Sequence, residues 1–233
     1  MTKWPLPIRG QRRRGAFISL EGIEGAGKST QVRHILARLA EAQVKAIATR
    51  EPGGSPGAEI LRKVLLSGIM EPLGPAAEAI LFAAARIDHI DHTIEPALAA
   101  GTCVVCDRFA DSSRAYQGAS GDLDPRFFRA LERVTLGEVW PDVTLILDLP
   151  AAEGLARASS RRSPNVELDR FESESLRFHE AVRRNFLTIA AENPDRCIVI
   201  DAVRSESIVE HEIWDAISDR LFRAEIAKQI YGA

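Results

Sequence analysis

Sulfur and aromatic rings are scarce in this chain. Its 233 residues include three cysteines, two methionines, two tyrosines and three tryptophans. Three cysteines cannot build the disulfide framework of a small secreted protein, and free thiols fit a reducing cytoplasm. Two of them form Cys103-x-x-Cys106, a spacing shared with redox and zinc motifs. The run Thr102-Cys103-Val104-Val105-Cys106 reads as a buried strand, however, and residues three apart on a strand face opposite sides of the sheet. Two separately packed thiols are therefore expected rather than one metal site. No apolar run approaches the ~20 residues of a membrane span. Charge of one sign is not in excess either: the net charge is −3, with 27% charged and 45% hydrophobic residues. Neither a membrane nor a nucleic-acid partner is expected from that balance.

Internal repeats and low-complexity tracts are also missing, so residues 16–233 are read as one α/β domain. Residues 1–15 carry Lys3, Arg9, Arg12, Arg13 and Arg14 without the apolar centre of a signal peptide. They read as a disordered basic tail; a weak contact to nucleic acid or a partner is the alternative.

What the chain does have is Gly22-Ile23-Glu24-Gly25-Ala26-Gly27-Lys28-Ser29, followed by Thr30. An apolar run, Phe17 to Leu20, leads into this G-x-x-x-x-G-K-S, and a helical pattern leaves it. Strand, glycine loop and helix form the context of a phosphate-binding loop. Its backbone N–H groups close around phosphate oxygens, and the new helix turns its positive end toward them. Lys28 supplies charge for the outer phosphates and Ser29 a hydroxyl for Mg²⁺. Residues 22–30 are thus expected to bind a nucleoside triphosphate, which the resemblance given below makes ATP.

Periodicity supplies the rest of the frame. Strands are expected at Ala16–Glu21, Val44–Thr49, Cys103–Asp107, Val143–Asp148 and Cys197–Asp201. Helices are expected at Thr30–Ala42, Ala58–Leu66, Pro75–Glu95, Asp124–Leu136, Ala151–Ser159, Phe171–Glu192 and Ser205–Tyr231. Strands alternating with helices imply crossovers and a parallel sheet covered on both faces. In such sheets ligands sit beyond the carboxyl ends of the strands. Those ends are Gly22, Arg50-Glu51-Pro52, Asp107-Arg108, Asp148 and Asp201.

Two apolar runs end in aspartate, as a Mg²⁺-associated strand does. Asp107 is the better metal candidate because Arg108, a guanidinium suited to phosphate, follows it. Asp148 reads more simply as a structural partner. Phe82 and Arg86 lie four apart on one helix face, a ring to stack on a base with a forked donor beside it. Their plain alternatives are a core ring and a solvated charge. On the same helix, Asp88, His89, Asp91 and His92 read as a polar face. The stretch 159–170 has no apolar periodicity and reads as a mobile lid carrying Arg161 and Arg162.

Taken together, these segments resemble the thymidylate kinase family. The phosphate loop, Arg50-Glu51-Pro52-Gly53-Gly54, Phe82-x-x-x-Arg86, Asp107-Arg108-Phe109, Ser112 to Gly118 and Leu168-Asp169-Arg170-Phe171-Glu172 occur in that family's order and spacing. The resemblance implies a P-loop nucleotide kinase fold: three layers, α/β/α, around a five-stranded parallel sheet, with a mobile lid. It implies transfer of the ATP γ-phosphoryl to dTMP with Mg²⁺; another nucleoside monophosphate or deoxynucleoside kinase is the alternative.

Carried onto this sequence, the family pattern has Phe82 stack on thymine, Arg86 bond its carbonyl edge and Arg108 hold the acceptor phosphate. Tyr116 would lie against the sugar, Ser113 and Gln117 near the base, and Pro52 in the pocket wall. Glu24 would meet the sugar 3′-hydroxyl. Asp169 and Glu172 would sit where the lid meets acceptor and metal, and Ser29 and Asp107 would hold Mg²⁺. Lys28, Arg108, Glu24 and the lid arginines Arg161 and Arg162 form the implied catalytic set. Gly25 stands where some members carry a loop arginine, so the chain looks like the bacterial type with lid arginines. The family also forms homodimers through apolar helices, for which Pro75–Glu95 is the candidate.

Overall fold

The computed structural model describes residues 14–120, 123–160, 171 and 173–231. Five strands, β1 (Phe17–Glu21), β2 (Ala46–Arg50), β3 (Cys103–Asp107), β4 (Val143–Asp148) and β5 (Cys197–Asp201), form one sheet. Their order is β2-β3-β1-β4-β5, and every pairing is parallel. β1 is central, in register with Val104 through Phe17 and with Val143 through Ile18.

Strand alternation splits the core into two layers. Ile18, Leu20, Cys103 and Val105 face one side, packing with Val32, Ile35 and Leu39 of α1 (Lys28–Glu41). Val182 and Phe186 of α8 (Leu176–Glu192) and Ile213 and Ile217 of α9 (Glu206–Tyr231) complete that layer. Phe17, Val104 and Cys106 face the other side, against Ile90, Ile94, Leu98 and Leu136. Each large side chain buried in this way contributes ~1.5–3 kcal/mol. Cys103 and Cys106 thus lie in different layers, as the strand reading expected.

α1 begins two residues earlier than periodicity indicated, because Gly27, at φ 93°, makes the left-handed turn that lets Lys28 open the helix. α2 spans Pro56–Leu66, and a 3₁₀ turn, Glu71–Leu73, precedes α3. The long helix expected from Pro75 is broken: α3 covers Gly74–His89, a π turn covers Ile90–Ile94, and α4 covers Glu95–Ala99. Pro96 explains the break, since it has no N–H for the His92 carbonyl and its ring would crowd it.

α5 (Ala110–Ser120) follows β3 directly, a helix the apolar pattern did not mark. Part of its buried face is polar, Asp111 and Ser113, so the periodic signal is missing. α6 (Pro125–Leu136) starts on an Asp124 cap whose side chain accepts from the Arg126 N–H. α7 (Ala151–Ser160) runs through Ser159 and Ser160, where the lid was expected to begin. No single described helix is both long and apolar enough to cross a membrane. The basic residues through Arg13 lie outside the described residues, whereas Arg14 reaches the Trp140 carbonyl and Gly15 bonds to Leu98.

Candidate active site

The carboxyl ends of β1, β2 and β3 meet at one edge of the sheet, and the phosphate loop wraps the end of β1. Lys28 is folded back over the loop, its Nζ donating to the carbonyls of Gly22 (3.0 Å) and Ile23 (2.8 Å). Burial pushes its ammonium pKa down to about 8, and the nearby Arg108 guanidinium adds to the shift. Gly25 is indispensable for packing: a Cβ there would stand 2.0 Å from the carbonyl oxygen of Gly154 in α7. No larger residue fits unless α7 moves.

Ser29, at the start of α1, donates its hydroxyl to Asp107 Oδ2 at 2.7 Å. One hydroxyl and one carboxylate at the mouth of a phosphate loop match the few hard oxygen ligands that Mg²⁺ takes from protein. Asp148 is engaged elsewhere, in a two-point pair with Arg183 at 2.7 and 2.9 Å.

Next to the loop lies a compact cluster. Glu24 Oε1 accepts from Arg108 (2.7 Å) and from the Tyr116 hydroxyl (2.5 Å). Burial opposes ionisation of Glu24, but Arg108, the His179 contact, Lys28 and the Tyr116 hydroxyl together outweigh it and hold the carboxyl well below the usual range. Burial raises the Tyr116 phenol, which therefore stays a neutral donor. Arg108 itself sits at φ 71°, the left-handed region that side chains rarely adopt. It also donates to the Gly22 carbonyl (2.9 Å) and to Ser112 (3.2 Å), and it lies 5.2 Å over the Tyr116 ring.

That turn is braced from below by Glu21, the last residue of β1. Its carboxyl accepts from the Phe109 N–H (2.7 Å) and from the Ser112 hydroxyl (2.5 Å). Burial, helped by the charge of Asp111, raises its pKa to about 8, so it is mostly neutral at pH 7.

A second cluster gathers on α3. Arg86 is 7% exposed, which excludes the solvated-charge alternative. Its Nε donates to Glu51 Oε2 (2.7 Å), and its terminal nitrogen donates to Ser113 (3.0 Å) and the Phe109 carbonyl (3.3 Å). His89, expected on a polar face, is instead fully buried. Its two ring nitrogens meet Glu51 Oε1 (3.0 Å) and Thr49 (2.6 Å), so Glu51 bridges Arg86 and His89. Glu51 precedes Pro52 through a cis peptide, and the Pro52 carbonyl accepts from Arg62 at 2.6 Å.

Phe82 is half-buried and faces Phe171 across 6.0 Å; Phe171 in turn meets Tyr116 edge-on at 5.6 Å. A small cleft beside Arg86, Ser113 and Gln117 is closed by Ala83 and, from α6, by Phe128 and Leu131. Arg161, Arg162, Asp169 and Glu172 lie outside the described residues. Sequence reasoning passed over Glu21, Glu51 and His179. The first is the lone carboxylate in an apolar strand, and the second belongs to a motif used only for its proline.

A phosphate loop and a buried arginine–aromatic cleft therefore share one sheet edge. The family model for thymidylate kinase matches residues 20–213. The chain belongs to the thymidylate kinase family. A thymidylate kinase of Bradyrhizobium sp. strain ORS 278 is 52% identical over 214 residues, covering 92% of this chain and 94% of the relative. One from Afipia carboxidovorans is 53% identical over 211 residues, covering 91% and 92%. One from Rhodopseudomonas palustris is 53% identical over 209 residues, covering 89% and 90%. Both clusters fall inside the span matched to the family.

Proposed function

We propose that this chain is a dTMP kinase, transferring the ATP γ-phosphoryl group to dTMP to give dTDP for dTTP biosynthesis. The observation that carries the reading is the pairing of two sites on one edge: the loop with Lys28, and the cleft where Arg86 is buried yet retains donor capacity. Phosphoryl transfer needs positioning and charge neutralisation more than covalent help. Lys28 serves the outer phosphates and Arg108 the acceptor phosphate. Ser29 and Asp107 would hold Mg²⁺, which supplies charge neutralisation at the phosphates. Phe82 stacks on the base, while Arg86, clamped by Glu51, reads its carbonyl edge beside Ser113 and Gln117. Glu24 and Tyr116 meet the sugar, and Pro52 lines the pocket.

The steric closure at Gly25 supports the lid-arginine reading, because a loop arginine would collide with α7. Arg161 and Arg162 are the arginines assigned to the moving phosphoryl group, with Asp169 and Glu172 beside them. The three free, buried thiols fit a reducing compartment such as the cytoplasm.

Coupled detection of ADP release across an acceptor panel tests the assignment. Turnover is expected to require an acceptor and to prefer dTMP strongly over UMP, CMP and AMP. ADP release at the same rate without acceptor sinks the reading.

The outer face of α3 carries Ile80 and Ile87, 50% and 39% exposed and seven residues apart. Ile60, Ile69 and Leu73 nearby are 65% exposed or more. We assign this apolar surface to a homodimer contact. Sedimentation as a monomer at micromolar concentration excludes it.

A further inference from the structure

His179, the fourth residue of α8, is fully buried, yet neither ring nitrogen makes a hydrogen bond among the described residues. Its Nδ1 lies 3.3 Å from Glu24 Oε2, the oxygen that Arg108 and Tyr116 do not use. That oxygen likewise has no hydrogen bond among the described residues. The contact favours the ionised Glu24 carboxyl, but a buried imidazole without a well-aligned hydrogen bond costs stability that an apolar side chain would not. Packing alone therefore does not account for an imidazole here.

The ring is held from several directions. Val182 and Phe186 anchor the same stripe of α8 in the core, and the Phe178 ring stands edge-on to His179 at 5.7 Å. Glu24, by contrast, sits on a loop and is attracted by Arg108 and Lys28 together. Arg108 and Tyr116 both hold Oε1, so a contact at Oε2 is what would fix the rotation of the carboxylate. The fixed imidazole is placed to provide it.

We propose that His179 is a positioning residue for the acceptor: its Nδ1–H holds Glu24 Oε2, which keeps Oε1 at the junction of Arg108 and Tyr116, where the acceptor sugar docks. This rests on the reading of Glu24 as the sugar contact. The 3.3 Å separation closes to a charge-assisted hydrogen bond once substrate tightens the loop. His179 touches neither substrate, so its effect appears in dTMP use and not in ATP binding.

Three replacements at His179 separate positioning from packing. Asparagine sets an amide nitrogen near the place of Nδ1, glutamine reaches toward Nε2, and leucine keeps volume without polarity. His179→Leu is expected to raise the KM for dTMP about tenfold, the worth of one modest charge-assisted hydrogen bond. Its KM for ATP should stay within about twofold. His179→Asn should recover most of the loss and His179→Gln little of it. Combined with Glu24→Gln, the leucine change should add almost nothing, because the two act through one contact.

Thermal melts of each variant run alongside. If the leucine protein fails to fold, the asparagine–glutamine comparison decides. A folded leucine variant with an unchanged KM for dTMP overturns the proposal, as do asparagine and glutamine variants that are equally impaired. An unchanged KM for dTMP in Glu24→Gln sinks the underlying reading of Glu24 instead, so the two failures are distinguishable.

Discussion

Replacing Lys28 by alanine is expected to lower turnover at saturating ATP and dTMP by about 10²–10³-fold, the usual loss on deleting one preorganised charge-stabilising donor. On the proposed reading the lysine neutralises negative charge at the phosphoryl group in flight. The other nearby cation, Arg108, is held by Gly22, Ser112 and Glu24 and is proposed to serve the acceptor phosphate instead. Lys28→Arg should fail nearly as badly, since the longer planar guanidinium does not fit a position read by a compact ammonium. Wild-type turnover in a folded Lys28→Ala protein would refute the role.

The same residue predicts a pH limb. Its ordinary pKa of 10.5 is lowered to about 8 in the folded chain. Above that pH the free protein loses the charge, and kcat/KM for ATP should fall tenfold per unit. The loss is not unfolding. A depressed lysine adds stability that is complete above pH 10.5 and disappears as pH falls through about 8, so this group makes the fold firmer while activity drops. Triphosphate pulls the lysine pKa back up. ATP binding near pH 8.5 should therefore take up a proton, which calorimetry in buffers of different ionisation enthalpy measures.

Most of the frame was legible because parallel strands, covered on both faces, appear as uninterrupted apolar runs ending where the chemistry begins. β1, β3 and β4 stood out that way, whereas β2, Ala46–Arg50, is only partly buried and carries Thr49 and Arg50 within it. Helix α5 was hidden for the opposite reason. It buries Asp111 and Ser113 to serve charge networks, Asp111 accepting two bonds from Arg196 at 2.5 and 2.8 Å, so it carries no regular apolar stripe. The phosphate loop announced itself because its function needs glycines and a lysine at fixed spacing. The acceptor residues could be named only through resemblance, since their contacts join distant segments. Glu51 and Arg86 are 35 positions apart, and Glu24 and Tyr116 are 92. No local pattern reveals such pairs.

His89 shows the limit most sharply. Its neighbours Asp88 and His92 are more exposed, and one residue's rotation about α3 separates a solvated side chain from a buried one. Only the packing of α3 against α2 and the end of β2 decides which it is. The outcome is a relay, Thr49 to His89 to Glu51 to Arg86, that fixes the Arg86 guanidinium. Glu21 performs the matching service for the turn at Arg108. Arg86 itself and the turn that carries Arg108 are thus each held by a buried carboxyl.

Arg108→Ala should reduce kcat/KM for dTMP by about 10²–10³-fold, because truncating one partner of a buried charge pair also strands the other. Glu24 would keep a desolvated carboxylate without the guanidinium that most favours its ionisation. The backbone at this residue allows side chain and conformation to be separated. At φ 71° an alanine bears a steric cost of about 1 kcal/mol that glycine avoids. Arg108→Gly should therefore melt about 2–4 °C above Arg108→Ala while losing as much activity. Recovery of activity in the glycine variant would mean that the turn, and not the guanidinium, is what the reaction needs. The wild-type arginine carries the same strained backbone as alanine. Its retention there is physically reasonable only if the side chain returns more in the reaction than the turn costs in stability.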